Sequence, residues 1–90
     1  MACYTYILLC EDGSYYTGIA KSVKRRFNQH IRGRGGKYTR AHKPLEIVFV
    51  EKFDSRVEAM KRERRIKSLN HSQKQRLVKL NNNKSESSYS

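Results

Sequence analysis

The stretch Tyr4–Ala20, YTYILLCEDGSYYTGIA, decides the fold. Tyr4 to Cys10 is an aromatic and aliphatic run with the composition of a β-strand, and Tyr15 to Ala20 is a second. Between them, Glu11-Asp12-Gly13-Ser14 carries turn chemistry, with Gly13 supplying a positive φ. Two hairpin registers compete. A two-residue Asp12-Gly13 turn pairs Leu9 with Tyr16 and sends Tyr6 and Tyr16 to opposite faces. A three-residue loop, Glu11-Asp12-Gly13, pairs Cys10 with Ser14, Leu8 with Tyr16 and Tyr6 with Gly18. Both tyrosines then share a face. The second register is the predicted one. It leaves Gly18 opposite Tyr6, a gap suited to a phosphate or a water.

Beyond the hairpin, Ser22 reads as a helix N-cap, and Val23, Phe27 and Ile31 mark one helical face ending at Gly33. Gly33 to Pro44 (GRGGKYTRAHKP) reads as a Gly-rich basic loop. Leu45 to Phe53 reads as a third strand, with Leu45, Ile47 and Phe49 alternating against Glu46, Val48 and Val50. Ser55-Arg56-Val57-Glu58 is a capping box that opens a helix running to about Ser68. A second such box, Ser72 to Gln75, opens a short helix carrying Leu77, Val78 and Leu80. The order β-β-α-β-α-α predicts one α+β domain over residues 1–80: a small three-stranded, mainly antiparallel sheet flanked by helices. Residues 81–90 have no apolar pattern and read as a disordered tail.

The chain has 90 residues, so one domain with a small core is expected. Twenty Lys+Arg against eight Asp+Glu leave a net charge of +12, and 37% of residues are hydrophobic. No apolar run reaches the roughly 18 residues of a membrane span, and Met1 to Cys10 lacks the basic start and cleavage site of a secretory signal. Cys3 and Cys10 on one strand lie about 23 Å apart on opposite faces, beyond disulfide reach. Two reduced thiols suit a cytoplasmic protein. No CxxC or HxxxH spacing points to zinc.

The charge is unevenly spread. Residues 13–45 hold nine Lys and Arg and no acid, and Lys61, Arg62, Arg64, Arg65 and Lys67 form a second cluster. Blocks of one sign gather phosphates, whereas a merely solvated surface mixes signs. A nucleic acid is the expected partner, and no membrane is.

Three groups of residues can carry chemistry. Tyr6 and Tyr16 sit on adjacent strands, where packing alone also favours tyrosine. Arg26 and His30, four apart, share a helix face; they suit a phosphate grip and a proton relay, or form an exposed basic pair. Glu63 lies among Ala59, Met60 and Ile66, inside the apolar stripe of its helix. An inward carboxylate in a basic protein wants a counter-charge, either an arginine or a divalent metal with hard oxygen ligands. No two of the eight acids form an evident pair, which disfavours a two-metal site.

Tyr4-Thr5-Tyr6, Tyr16-Thr17-Gly18 ten positions after Tyr6, then Arg26, His30 and Glu63 resemble the GIY-YIG nuclease superfamily, in particular its short single-domain bacterial members. The resemblance spans about residues 4–78. It departs at the first tripeptide, which keeps only the final Tyr, and at the second, which has Thr17 for Ile. It implies phosphodiester hydrolysis in DNA with a single Mg²⁺ or Mn²⁺ held by Glu63. It further implies Tyr6 as general base, Tyr16 positioning water or phosphate, Arg26 stabilising developing charge, and His30 helping to take the tyrosine proton. Asn70 is the nearest match to a late Asn that many relatives use. With Arg26, His30 and a metal lowering the Tyr6 pKa, the rate should rise toward alkaline pH. A flat profile over pH 6–9 would argue against Tyr6 as base.

In the basic loop, Lys37, Thr39, Arg40 and Lys43 are candidate phosphate contacts and Tyr38 a candidate base-stacking ring, which suits single-stranded or structured DNA. The alternatives are a disordered basic loop and, for the whole protein, a non-catalytic nucleic-acid-binding module with the same fold.

Overall fold

β1 (Cys3–Cys10) and β2 (Tyr15–Ala20) form the expected hairpin. The computed structural model describes residues 2–34 and 37–80, leaving out the Thr39 side chain, so the tail expected at 81–90 lies outside the described residues. The hairpin takes the three-residue-loop register. The Cys10 N–H donates to the Ser14 carbonyl and the Gly13 N–H to the Cys10 carbonyl, both at 2.9 Å. Gly13 has φ 85°, the left-handed bulge position that glycine occupies without steric penalty. The Asp12 carboxylate ties the turn, accepting from the Ser14 N–H at 3.0 Å and its hydroxyl at 2.6 Å. Leu8 therefore pairs with Tyr16 and Tyr6 with Gly18, as predicted.

β3 (Pro44–Phe53) pairs antiparallel with the other side of β1, giving the order β2-β1-β3. With a strand on each side, β1 is buried along almost its whole length, and Cys3 and Cys10 are buried free thiols. The strict alternation expected for β3 fails. Ile7 pairs with Phe49 but Leu8 with Ile47, and Leu9 pairs with Glu46 but Cys10 with Pro44. Val48 and Leu45 are thus extra residues in two bulges, which no reading of strand periodicity anticipates. The first bulge sends Ile47 and Phe49 to opposite faces, and Leu45 is left 54% exposed.

The two sheet faces bury different things. Tyr4, Tyr6 and Leu8 pack with Val23 and Phe27 of α1 (Val23–Ile31). Ile7 and Phe49 pack with Ile66 of α3 (Arg56–Lys67) and with Leu77 and Val78 of α4 (His71–Leu80). Each fully buried aliphatic side chain contributes about 1.5–3 kcal/mol, so these few residues dominate the stability of so small a core. The Thr5 hydroxyl donates to the Ala59 carbonyl at 2.9 Å, joining β1 to α3.

Caps explain the helix starts. Ser22 Oγ accepts from the Arg25 N–H at 3.3 Å and Ser55 Oγ from the Glu58 N–H at 3.2 Å. Gly33, at φ 75°, follows the end of α1. The last helix starts earlier than Ser72: the Asn70 carboxamide accepts from the Gln73 N–H, and the Gln73 carboxamide accepts from the Asn70 N–H, each at 2.9 Å. A reciprocal Asn-x-x-Gln box thus replaces the expected Ser-x-x-Gln one. The segment read as a loop contains a further short helix, α2 (Lys37–Ala41). Five residues cannot hold a helix alone. This one is held by ring contacts described below and by the Glu11 N–H, which donates to the Lys43 carbonyl at 2.8 Å.

Candidate active site

The shared face of the hairpin and one face of α1, from Arg26 to His30 in its last turn, bring four predicted residues together. The Tyr6 hydroxyl lies 3.0 Å from His30 Nε2, and both residues are 1% exposed. The Tyr16 ring lies 5.0 Å from the His30 ring, edge-on, and 6.4 Å from that of Tyr6. Arg26, one turn before His30 on α1, is steadied by Gln29, whose Oε1 accepts from Nη1 at 3.1 Å. Gln29 went unnoticed in the sequence, although i,i+3 spacing from Arg26 was available as a signal.

Electrostatics assign the protons. Burial pushes the Tyr6 phenol well above the ordinary tyrosine range, and Tyr16 and the Glu63 charge add to this. Arg26 opposes with its charge and a hydrogen bond, but burial wins. The expected lowering of the Tyr6 pKa is therefore reversed among the protein's own groups: one cation at a half-open edge does not offset desolvation of a phenolate in the core. Burial, helped by Arg26, pushes His30 below its ordinary value. At neutral pH the pair is a phenol and a neutral imidazole. With the imidazole proton on Nδ1, the phenol O–H donates to Nε2 while the phenol oxygen still accepts from Arg26.

Gly18 is not a gap. A Cβ there would stand 2.6 Å from the Tyr6 Oη and 2.8 Å from its Cζ. The space expected for a phosphate or water is filled by the phenol itself, which lies across β2. The next residue, Thr17, has a buried hydroxyl without a hydrogen-bond partner among the described residues.

Glu63 sits on α3 with its side chain 22% exposed, and its counter-charge is neither an arginine nor a buried partner. Lys67, one turn on, places Nζ 3.3 Å from the carboxylate. No cluster of three or more His, Cys, Asp or Glu capable of holding a metal occurs among the described residues. One partly open carboxylate facing an exposed lysine fits a Mg²⁺-type ion, which keeps most of its ligands as water and substrate phosphate. It does not fit a closed protein cage. Asn70, the nearest match to the late Asn, is committed to capping α4.

The residues of the former loop divide. Tyr38, 38% exposed, stacks on Tyr16 at 5.6 Å and on His42 at 4.2 Å. Two rings of the protein therefore already stack against the ring offered as a base-stacking surface. His42 in turn pairs with Asp12 of the hairpin turn at 2.5 Å, and Asp12 is held down at about 2 mainly by its Ser14 hydrogen bonds, with His42 adding. Sequence reasoning missed His42; once residues 37–41 are helical, its i+4 spacing from Tyr38 would have flagged it. Lys37 and Arg40 are exposed beside Gly33 and Arg34. Lys43 is exposed, and its carbonyl ties to Glu11. The Thr39 side chain lies outside the described residues.

A bulged β2-β1-β3 sheet that seats a tyrosine–histidine pair against its first helix is the framework of the GIY-YIG class. The chain belongs to that family: the GIY-YIG catalytic domain matches residues 2–85. The family is one of nucleases, which implies interaction with nucleic acid. The chain is 49% identical over 75 residues to a UPF0213 protein of Natronomonas pharaonis, covering 83% of this chain and 88% of that one. It is 44% identical over 75 residues to a UPF0213 protein of Staphylococcus saprophyticus, covering 83% and 92%. Its fold resembles the solution NMR structure of a UPF0213 protein from Bacillus halodurans, with TM-score 0.60, 43% identity, and 92% and 88% of the two chains covered. A solution NMR structure from E. faecalis is similar at TM-score 0.62 and 36% identity, covering 96% and 92%. No helix among the described residues is long and apolar enough to cross a membrane.

Proposed function

We propose that this protein is a metal-dependent endonuclease that hydrolyses phosphodiester bonds in DNA, with single-stranded or structured DNA as the expected substrate. The observation that carries the reading is the buried hydrogen bond of 3.0 Å between a protonated Tyr6 and a neutral His30, with Arg26 alongside.

Arg26, charged and exposed on α1, binds the scissile phosphate and stabilises charge developing on its non-bridging oxygens. Tyr16 orients the phosphate or the attacking water. Tyr6 accepts the proton of that water while passing its own to His30 Nε2. This relay never requires a free phenolate, which the core disfavours. His30 is kept neutral, and so able to receive the proton, by burial and Arg26. Glu63 would hold a Mg²⁺ or Mn²⁺ ion, which when bound polarises the phosphate and stabilises the leaving 3′ oxygen.

The test is cleavage of end-labelled single-stranded and duplex oligonucleotides with Mg²⁺, Mn²⁺ or EDTA, with the Glu63→Ala protein alongside. Metal-dependent cutting that disappears in the variant while binding persists is expected. Loss of binding and cutting together would make Glu63 structural. The second reading, a binding module that does not cut, is favoured by one observation, the 1% exposure of Tyr6. It predicts salt-sensitive binding and no cleavage in both proteins.

A further inference from the structure

Along α1 and past its C-terminal end to α2 lie three concavities, each sharing a wall with the next. The first, about 310 Å³, has Lys21, Ser22, Arg25, Arg26, Gln29 and Arg56 as its polar lining. The second, about 260 Å³, lies between Arg25, Asn28, Gln29, Arg32 and Arg34. The third, about 390 Å³, is formed by Gly33, Arg34, Lys37 and Arg40. Arg25 and Gln29 belong to the first two, and Arg34 to the last two. The series is therefore one continuous track.

Two features separate this track from an ordinary solvated basic face. No acid lines any of the three concavities, although Asp54 shares an adjoining one with Lys21 and Arg56. The acids that form ion pairs among the described residues do so elsewhere: Asp12 with His42, Glu51 with Arg62, Glu58 with Lys61 and Glu63 with Lys67. None of the track's eight cations has an acidic partner among the described residues, so their charge is left for an external polyanion. The track also contains no aromatic ring on which a base could stack, while guanidinium groups, which grip phosphates bidentately, dominate it.

Its position and length fit one strand. Arg26 belongs both to the first concavity and to the surroundings of the Tyr6 phenol. The nine residues of α1 rise about 13 Å in all, at about 1.5 Å each. At the rise of about 3.4 Å per nucleotide of a duplex strand, that length spans roughly four phosphates, and fewer of a more extended single strand. We infer that this acid-free track holds the sugar–phosphate backbone of one nucleic-acid strand on both sides of the bond presented to Arg26, without reading its bases. The inference rests on the nucleic-acid reading of the active site. Lys21, Arg25 and Arg56 take phosphates on one side, and Arg32, Arg34, Lys37 and Arg40 on the other.

The experiment measures binding in EDTA, by fluorescence anisotropy across a salt series. The probes are a 12-nucleotide strand of mixed sequence, a homopolymer of the same length, and the 12-base-pair duplex. Arg25→Gln, Arg34→Gln and the double variant are compared with the wild type. Lys79→Gln, on α4 across the sheet, controls for net charge. Each track variant should flatten the slope of log K against log salt by about 0.7 on single strands, or about 0.9 on duplex, and the double variant by about twice that. The two strand sequences should bind alike. The arm with the tighter wild-type binding identifies whether the strand is taken free or within a duplex. Unchanged slopes in both arginine variants, an equal loss in Lys79→Gln, or strong dependence on base sequence would overturn the inference. A wild type that shows these slopes but cuts nothing in Mg²⁺ would leave the track standing and remove the nuclease reading. Cutting with unaltered variant slopes would do the reverse.

Discussion

Replacing Gly18 by alanine tests the link between hairpin register and chemistry. The new Cβ would stand 2.6 Å from the Tyr6 Oη and 2.8 Å from its Cζ, closer than real Cβ atoms approach. Tyr6 is 1% exposed and cannot swing into solvent. The ring must shift within a packed core, which costs about 1–3 kcal/mol, and its buried bond to His30 contributes about 1 kcal/mol more. A loss of about 2–4 kcal/mol lowers the midpoint of a domain this size by on the order of 10–30 °C. The active-site effect follows separately. Moving the phenol by about 1 Å should lower kcat about 100-fold while leaving KM nearly unchanged, because Arg26 and the track still bind substrate. Thermal melts followed by circular dichroism and steady-state cleavage read the two effects. Replacing Tyr6 by Leu should remove most of the stability cost of Gly18→Ala, since the three atoms nearest the new Cβ all belong to the Tyr6 phenol. A Gly18→Ala protein with wild-type midpoint and wild-type kcat would refute the assignment of Gly18 as the seat of the Tyr6 ring.

Other expectations follow from the same contacts. Burial holds the Tyr6 phenol protonated, so the alkaline rise expected of an ionising Tyr6 no longer applies, and a level profile does not count against its relaying a proton. Because His30 must be neutral to receive that proton, and burial lowers its pKa, log kcat should be level from about pH 7 to 9 and fall below. A rate climbing tenfold per pH unit up to pH 9 would instead point to an independently ionised Tyr6 and refute the relay. Stability has the same sign: below the ordinary histidine value of about 6.5 the unfolded chain binds a proton that folded His30 refuses, so the melting midpoint should drop between pH 7 and pH 5. Asp12, depressed to about 2, adds a second loss as pH falls from about 4 toward 2. Acid melts that stay level to pH 5 would contradict the buried neutral imidazole. Thr17→Val keeps the shape and the β-branch while removing a buried hydroxyl that has no partner among the described residues. It should stabilise the fold by about 1–2 kcal/mol in urea titration, and a destabilised variant would show that the hydroxyl is in fact bonded.

Much was legible in the sequence because local chemistry and strand parity settle it. Gly13 at a bulge position selects the hairpin register, and that register alone puts Tyr6, Tyr16 and Gly18 on one face. Ser22 and Ser55 cap their helices because a serine hydroxyl there satisfies an otherwise orphaned backbone N–H. The i,i+4 spacing of Arg26 and His30 fixes their common direction before any tertiary contact exists. Net charge and the acid-free block follow from counting. What only the tertiary structure decided concerns burial, bulges and who neighbours whom across long separations. Whether Gly18 is an empty seat or an occupied one depends on how far the Tyr6 ring reaches across β2. The direction of the Tyr6 pKa depends on a balance between desolvation and Arg26 that no spacing encodes. The helix at Lys37–Ala41 exists because Tyr38 meets Tyr16 and His42 meets Asp12, thirty residues away. The bulges at Leu45 and Val48 arise from pairing with β1, and they turn Ile47 and Phe49 to opposite faces. Sequence periodicity describes one segment's own geometry, whereas these features are energies of interaction between segments that meet only when the chain has folded.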